Sequence, residues 1–423
     1  MIRVSTFFME KRVMNRDINF SGQPVFGQII QLLDKQMIIE ISQSVFGSEK
    51  YVKKLDGYKH FVIMLYGVFK HFDSLREIEI GMQAEANKLA HLGLDYVVRR
   101  STLSDANKRR PEAFFAQVYQ HLFSRYANFL ADSHLSVQEQ KLIKALYLID
   151  STTITLFHNI LKGVGRHPKN GKKKGGIKVH TLMKYEHQVP MLVELTSAAK
   201  HDIFILKDIH LPQDSTIAMD RAYIDYAQMQ RLTEEGVCYV TKMKKNLIYQ
   251  TLSSVICVNE QAKVVCKDET ILFQKETLQH TARRVELWIK DKNEYKHAVL
   301  LTNNFDLTAE ELAEIYKRRW AIEMLYKQLK QNFQLHFFLG DSENAIKIQV
   351  WVTLIANLLS TVIKQMIKRR CAFSQVVTMI RLTLMYYINF VDFMENPNKN
   401  WEEIQSIYEP KPPPNATQFS LDF

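Results

Sequence analysis

Residues 315–330 read I-Y-K-R-R-W-A-I-E-M-L-Y-K-Q-L-K. The pattern predicts one amphipathic helix, in which successive residues turn by about 100°. Four polar side chains then share a wedge of about 60°, namely Tyr316, Arg319, Glu323 and Lys330. The opposite face has the apolar stripe that docks a helix on a core, formed by Ile315, Ile322, Leu325, Leu329 and Phe333. The helix therefore presents a phenol, a guanidinium, a carboxylate and an ammonium on one side.

One interpretation of this polar side is a solvated charged surface, with Arg319 and Glu323 as an i,i+4 ion pair. The complete spacing Tyr-x2-Arg-x3-Glu-x6-Lys favours a functional interpretation, because it matches a known signature without a gap. It resembles the signature of the bacterial DDE transposases of the insertion-sequence-four family. The resemblance implies two aspartates upstream, each at the end of a buried strand.

Two aspartates meet this requirement. Residues 145–149 (A-L-Y-L-I) form a continuous apolar run, typical of a strand buried on both sides, and Asp150 ends it. Residues 215–219 (S-T-I-A-M) predict a second such strand, which Asp220 ends. Either aspartate alone is typical of a turn or a helix N-cap. Together they occupy strand exits, where open α/β sheets form their ligand crevice, and we predict Asp150, Asp220 and Glu323 as the catalytic acids.

Three acids suit cleavage of a phosphodiester. In-line attack builds charge on the entering and leaving oxygens, and two Mg²⁺ ions roughly 4 Å apart neutralise both. Mg²⁺ prefers carboxylate oxygens and retains several waters, and Mn²⁺ is expected to substitute for it. We expect Asp150 to bridge the two ions, with Asp220 and Glu323 on one ion each.

The resemblance also implies contacts to DNA. Arg319 and Lys330 would hold phosphates, and Tyr316 would hydrogen-bond a terminal phosphate. We add the neighbouring cations Lys327 and Arg221. Residues 162–184 contain eight Lys and Arg side chains and no acid. This stretch, with Lys172, Lys173 and Lys174 at its centre, is either a solvated loop or a clamp on the DNA backbone that binds by counterion release.

The overall charge agrees with a polyanionic partner. The 56 Lys and Arg against 45 Asp and Glu give a net charge of +11, which favours nucleic acid first and an anionic membrane surface second. Apolar stretches such as 350–359 are too short for a bilayer span, so we expect no membrane partner. The four cysteines form no C-x2-C pair, which argues against a zinc site or a disulfide scaffold. We expect a bacterial, nucleoid-associated protein in the cytoplasm.

The amino-terminal third predicts helices at residues 26–46 and 58–69, and a capped helix start at Ser74, which has Glu77 three residues later. A further helix is predicted at 101–110. This region is either a helical packing domain with a solvated basic turn or a helix-turn-helix-like DNA reader. Residues 26–110 resemble the amino-terminal domain found in a subset of these transposases. The resemblance favours DNA. Near base edges or phosphates we expect Ser101, Thr102 and Asn107, and on the backbone Arg99, Arg100, Lys108, Arg109 and Arg110.

The middle of the chain follows the element order of the RNase H-like fold. After the first strand come strands at 177–184 and 189–195, a helix at 203–209, the strand before Asp220, a helix at 223–235 and a strand at 237–241. His201 and Asp202 resemble a family feature close to the site. Residues 246–296 resemble the β-rich insertion of the family, in which an aromatic stacks on a flipped base. Trp288 and Tyr295 are candidates, with core packing as the alternative.

The predicted fold class is therefore α/β: an RNase H-like (DDE) core interrupted by a β-rich insertion, with an all-helical amino-terminal domain and a helical carboxyl terminus. The domains are an amino-terminal tail (1–25), a helical DNA-binding domain (26–125), the first part of the core (140–245), the insertion (246–296), the second part of the core (297–370) and carboxyl-terminal helices with a tail (371–423). Long helices are predicted at 351–368 and 371–391.

The predicted function is cut-and-paste DNA transposition. Water attacks first and the freed 3′-hydroxyl attacks next, on the terminal inverted repeats and on target DNA, within a homodimeric complex. The alternatives are an RNase H-like nuclease that cuts without joining, and a domesticated relative that only binds DNA.

Overall fold

The structure, a computed structural model, describes residues 22–131, 145–155, 176–197, 202–259, 264–275, 278–291, 294–333, 335 and 337–399. The predicted amino-terminal tail to residue 21, the lysines at 172–174, His201 and the carboxyl-terminal tail from residue 400 lie outside these ranges.

Helices make up the amino-terminal region. They are α1 (Val25–Gln31), α2 (Lys35–Ser44), α3 (Gly57–Lys70), α4 (Leu75–Ala84), α5 (Arg100–Arg109) and α6 (Glu112–Ala131). The helix predicted at 26–46 is wrong as a single element, because Asp34 caps a new helix by accepting a hydrogen bond from Met37 N. The capped start of α4 is confirmed: Ser74 Oγ accepts from Glu77 N at 3.3 Å, and Glu77 accepts from Asp73 N.

Nine strands form one sheet in the order β3-β2-β1-β4-β5-β9-β8-β7-β6. They are β1 (Leu146–Thr155), β2 (Gly176–Lys184), β3 (Pro190–Ser197), β4 (Thr216–Met219), β5 (Cys238–Lys242), β6 (Gln250–Asn259), β7 (Val264–Lys275), β8 (Leu278–Asp291) and β9 (Glu294–Thr302). Strand β1 is antiparallel to β2 and parallel to β4, which is parallel to β5. Between the strands lie α7 (Ile203–Leu206), shorter than the helix predicted at 203–209, and α8 (Tyr226–Glu234).

The prediction that Asp150 ends the first strand is wrong. Strand β1 continues to Thr155, because β2 remains paired with it from Tyr147 to that residue. Only the parallel pairing with β4 stops at Ile149.

The segment predicted as a β-rich insertion does contain strands, and they extend the same sheet. Strand β9 pairs with β5 at Val240 and Thr302, and β8, β7 and β6 follow in antiparallel order. Because β9 runs to Thr302, the β-structure passes the predicted boundary at residue 296. Apolar residues of β7 and β8, such as Phe273 and Leu287, are buried.

Five further helices complete the described chain: α9 (Ala309–Arg318), α10 (Trp320–Asn332), α11 (Glu343–Met366), α12 (Phe373–Thr383) and α13 (Phe390–Glu395). The last two replace the single helix predicted at 371–391. Within the described residues, α11 is the one helix long and apolar enough to cross a membrane, and 89% of its most apolar window is buried in the protein. Such burial is typical of a core helix, and Trp351 on α11 donates to Glu112 on α6.

Candidate active site

The register of β1 and β4, two central strands, places the two aspartates side by side where the parallel pairing of these strands ends. The last parallel pair is Ile149 with Met219, so Asp150 and Asp220 are the next residues on neighbouring strands, which lie about 4.8 Å apart. Asp150 continues β1, and its Oδ1 accepts from Ser151 N at 2.7 Å. Asp220 leaves β4, and its Oδ1 accepts from Ala222 N at 2.9 Å.

The stretch predicted as one helix over 315–330 is helical on both sides of Arg319, where the backbone keeps helical dihedral angles but the helix has a one-residue irregularity. Helix α9 ends at Arg318 and α10 begins at Trp320. At the junction Arg319 N donates to Tyr316 O, and Ile322 N donates to Arg319 O, both of which are tighter i→i+3 bonds. The predicted apolar stripe is confirmed, since all of its members are buried: Ile315, Ile322, Leu325, Leu329 and Phe333.

Arg319 joins two of the three acids. Its Nη1 lies 3.3 Å from Asp150 Oδ2, and its Nη2 lies 2.5 Å from Glu323 Oε1. The guanidinium also lies 5.6 Å from the ring centroid of Tyr316. Arg319, at the junction of α9 and α10, thus links Asp150 on β1 with Glu323 on α10.

The site is acidic beyond what Arg319 neutralises. Burial raises the pKa of Asp150 to about 6, against the Ser151 N–H and Arg319, which lower it. Asp220 and Glu323 act in the same direction as burial, because they repel the charge on Asp150. A further cation at this edge would relieve that repulsion.

Carboxylates at one sheet edge are the donor type that Mg²⁺ and Mn²⁺ prefer, so the residues fit divalent ions by chemistry. In the described part of the chain, however, no group of three or more His, Cys, Asp or Glu side chains is arranged to hold a metal ion. The predicted metal cluster is therefore not assembled in this conformation, in which the guanidinium of Arg319 lies between Asp150 and Glu323.

Basic side chains surround the acids. Lys330 Nζ donates to Thr152 Oγ1 at 2.8 Å, two residues beyond Asp150 on β1. Lys327 and Arg221 are exposed, the latter directly after Asp220. Tyr316 is partly buried, with Lys242 Nζ 6.0 Å from its ring centroid. Arg319, Glu323 and Lys330 of the signature thus lie beside β1 near Asp150, and Tyr316 lies against Arg319.

Sequence reasoning largely missed a polar cluster behind Asp150. Asp202 Oδ1 accepts from Ser151 Oγ at 2.6 Å and from Lys178 Nζ at 3.0 Å, and His180 Nδ1 lies 3.6 Å away. Burial raises the pKa of Asp202, but the Ser151 and Lys178 hydrogen bonds outweigh it and hold this pKa below its usual range. Lys178 is therefore not an exposed member of the basic stretch; its alternation with His180 on β2 was the available signal.

Tyr326 is a second residue that was missed. Its hydroxyl donates to the backbone oxygen of Asp150 at 2.9 Å, which ties α10 to β1. Because Tyr326 lies beside the apolar stripe, its position in the sequence indicates only core packing.

Two amino-terminal predictions need correction. Arg110 is buried, and its guanidinium donates to Ser48 O at 3.2 Å and to Leu55 O at 3.0 Å, so it does not face DNA. Asn107 is also buried, with its Oδ1 2.8 Å from His60 Nε2. Arg99 and Arg100, at the start of α5, are exposed and far from the acids in sequence.

The aromatic candidates in the β-strands give no indication of stacking on a base. Trp288 on β8 is partly buried, and its ring centroid lies 5.1 Å from that of His297. The side chain of Tyr295 lies outside the described part of the structure.

Fold and site together define a class: a mixed α/β protein in which adjacent parallel strands and a following helix supply carboxylates to one edge of a sheet. A family model described as "Transposase DDE domain" matches residues 143–359, just over half of the chain. The chain belongs to the transposase DDE-domain family. Membership implies an RNase H-like fold for the core and dependence on divalent metal. A second model, for a domain of unknown function, matches residues 21–95.

Individual relatives agree. The chain is 29% identical over 260 residues to a putative transposase of Sinorhizobium fredii, covering 60% of this chain and 68% of the relative. It is 27% identical over 216 residues to a probable transposase for insertion sequence element IS5377 of Geobacillus stearothermophilus, covering 51% of this chain but only 56% of the relative. A solved piggyBac transposase synaptic complex with hairpin DNA aligns over 93% of this chain and 86% of its own chain at 10% identity. Its TM-score of 0.38 is too low to carry an argument.

Proposed function

We propose that this protein is a DNA transposase that cuts the ends of its own insertion sequence and joins them to target DNA. The observation that carries the proposal is that Asp150 follows the last parallel pair of β1 and β4 beside Asp220 and shares the guanidinium of Arg319 with Glu323, in a chain of the transposase DDE-domain family. The relatives named as transposases of insertion sequence elements support it. The spacing of Tyr316, Arg319, Glu323 and Lys330 further supports membership of the insertion-sequence-four family.

The three acids are proposed to hold two divalent ions, Mg²⁺ or Mn²⁺. When bound, such ions neutralise charge on the entering and leaving oxygens of the phosphodiester. Asp150, Asp220 and Glu323 would hold the ions through their carboxylate oxygens, and the side chain of Asp150 is more buried than that of Glu323. Arg319 must first release Asp150 and Glu323. Its planar guanidinium is then free to donate to a DNA phosphate in a bidentate manner.

The surrounding cations are proposed to hold the DNA. Lys330 is exposed and bonded to Thr152, two residues beyond Asp150, Lys327 and Arg221 are exposed, and Tyr316 lies next to Arg319. These side chains, together with Lys172, Lys173 and Lys174, would release counterions from the DNA when they bind its phosphates. The affinity for DNA would then fall strongly as the salt concentration rises. The amino-terminal helices, through exposed Arg99 and Arg100, are proposed to add further backbone contacts.

The proposal extends to the oligomeric state and the cellular location of the protein. An element has two ends, so we propose a homodimer that engages one end with each copy, in the bacterial cytoplasm at the nucleoid. The proposed domains keep the predicted boundaries, except that the β-rich insertion extends the central sheet and ends with β9.

Glu323→Gln tests the proposal, with Glu314→Gln as the matched control. Glu314 lies on α9 and pairs with Lys317 and Arg318, outside the proposed site. DNA carrying the inverted repeats that flank the gene is incubated with each protein and Mg²⁺, and cleavage, joining and binding are measured. We expect Glu323→Gln to lose cleavage by at least about 100-fold, as for the loss of one transition-state contact, while binding persists and Glu314→Gln remains active.

Other outcomes discriminate the alternatives. Cleavage without joining by the wild-type protein would indicate a nuclease, and binding without either reaction would indicate a DNA-binding relative. Full cleavage by Glu323→Gln would refute the assignment of this residue.

A further inference from the structure

Strand β6 is the terminal strand of the sheet, and its outer side is open. Within the described residues no strand pairs with that side. Six consecutive residues, 251–256, are exposed, including Val255 and Ile256, which are 58% and 71% exposed. Neighbours on a strand point to opposite faces, so both faces of β6 present apolar side chains. A terminal strand also carries a row of N–H and C=O groups without a strand partner, which is a template for another strand.

The composition of β6 indicates what kind of partner it accepts. Residues 250–259 (Q-T-L-S-S-V-I-C-V-N) contain no charged side chain, and residues 246–262 contain no Lys or Arg in a chain that has 56 of them. Because DNA binding depends on cations that neutralise phosphates, this edge does not suit DNA. Proteins usually protect such edges with charges, proline or bulges. Here the pairing of β6 with β7 has a single irregularity, between Thr251 and Ser253. The backbone of the residues beyond Ser253 remains available to pair with another strand.

The other end of the sheet, at β3, has no exposed residue. Strand β3 begins at Pro190, which has no N–H to donate, and Tyr119 of α6 donates its hydroxyl to Pro190 O at 2.5 Å. Glu194 adds a charge to the same strand. Helix α6 thus contacts the start of β3, whereas no described helix or strand occupies the outer side of β6.

We propose that β6 is a dimerisation edge, on which the β6 strands of two copies pair antiparallel about a two-fold axis close to Val255. Such an interface uses the same patch on both copies, so β6 must be complementary to itself. An uncharged strand meets this condition, because no like charges come to face one another although each chain carries +11. We expect assembly to end at two copies, because the remaining ends of the joined sheet are the two β3 strands, none of whose residues is exposed. The proposal does not depend on the reaction that the protein catalyses.

The test is a charge exchange at Val255 in the full-length protein without DNA, read by sedimentation equilibrium. Close to the two-fold axis, residue 255 of one chain faces residue 255 of the other. Val255→Lys alone and Val255→Glu alone therefore bring like charges together, and each should raise the dimer dissociation constant about tenfold or more. Mixing the two variants should restore a heterodimer, because opposite charges then meet. Leu382→Lys is the matched control, since Leu382 is equally exposed at 57% but lies on α12, and it should leave the dimer unchanged.

Circular dichroism verifies that each variant is folded, and Ile256→Lys, on the opposite face of β6, provides a second variant that should also weaken the dimer. A wild-type protein that remains monomeric at every concentration would overturn the proposal, because the edge would then serve another strand. A dimer that all of the β6 variants leave intact would overturn it too, by assigning the contact to another surface.

Discussion

Arg110 and Arg319 are both buried arginines, with 2% and 9% of their surface exposed, yet their surroundings differ. Arg110 donates to backbone oxygens of Ser48 and Leu55 and has one acidic partner, Glu49, at 3.5 Å. Arg319 lies between Asp150 and Glu323, with Asp220 also close to Asp150. The guanidinium of Arg110 connects α5 to the loop between α2 and α3, and that of Arg319 lies between two acids.

The partners of a buried arginine therefore indicate its role better than its burial does. The carbonyl groups around Arg110 belong to the loop between α2 and α3 and lose their donor if the guanidinium is removed. The carboxylates around Arg319 keep some access to solvent, with side chains 18% and 32% exposed, and another cation can neutralise them. Arg110 is therefore structural, whereas we propose that a divalent ion can take the position of the Arg319 guanidinium.

The largest effect on stability is expected for Arg110→Met. Removing one member of a buried, hydrogen-bonded ionic network leaves its partners unsatisfied and typically costs about 3–5 kcal/mol. Urea unfolding measures this loss. Arg109→Met is the control, because exposed Arg109 makes one contact, to Lys50 O at 3.3 Å, and such surface changes cost within about 0.5 kcal/mol. Equal losses for the two variants would contradict the structural role of Arg110.

A smaller effect is expected for Arg319→Met, about 1–3 kcal/mol, because its partners can be hydrated after the change. Mg²⁺ should raise the melting temperature of this variant more than that of the wild type, since a ligand that binds only the folded state stabilises it. Thermal unfolding with and without Mg²⁺ measures the difference, and Arg110→Met should show no such gain over the wild type. An unchanged Mg²⁺ response in Arg319→Met would argue against competition between guanidinium and metal.

Local signals predicted much of this fold. The Ser74 and Glu77 pair determines the start of α4 within one turn of helix. Likewise, the apolar run before Asp220 becomes β4 almost as predicted. Asp150 and Asp220 were predictable as neighbours because each follows an apolar run that becomes part of a buried strand.

Features that depend on distant partners were not predictable. The irregularity at Arg319 accompanies its contact with Asp150, 169 residues earlier, and periodicity within α9 and α10 gives no indication of it. Strand β1 continues past Asp150 because β2 pairs with it. Arg110 resembled its exposed neighbour Arg109 in sequence, and only the carbonyl groups of Ser48 and Leu55 distinguish the two.

We propose that the carboxylates at the point where β1 and β4 stop pairing carry the reaction. The comparison of Asp220→Asn with Asp225→Asn tests this most directly. Both aspartates accept a hydrogen bond from a backbone N–H at the start of a helical turn, and asparagine retains that capping, so each change removes only a charge. In Mg²⁺-dependent cleavage of DNA that carries the ends of the element, we predict that Asp220→Asn is inactive and that Asp225→Asn cleaves like the wild type. Equal cleavage by the two variants would contradict the account.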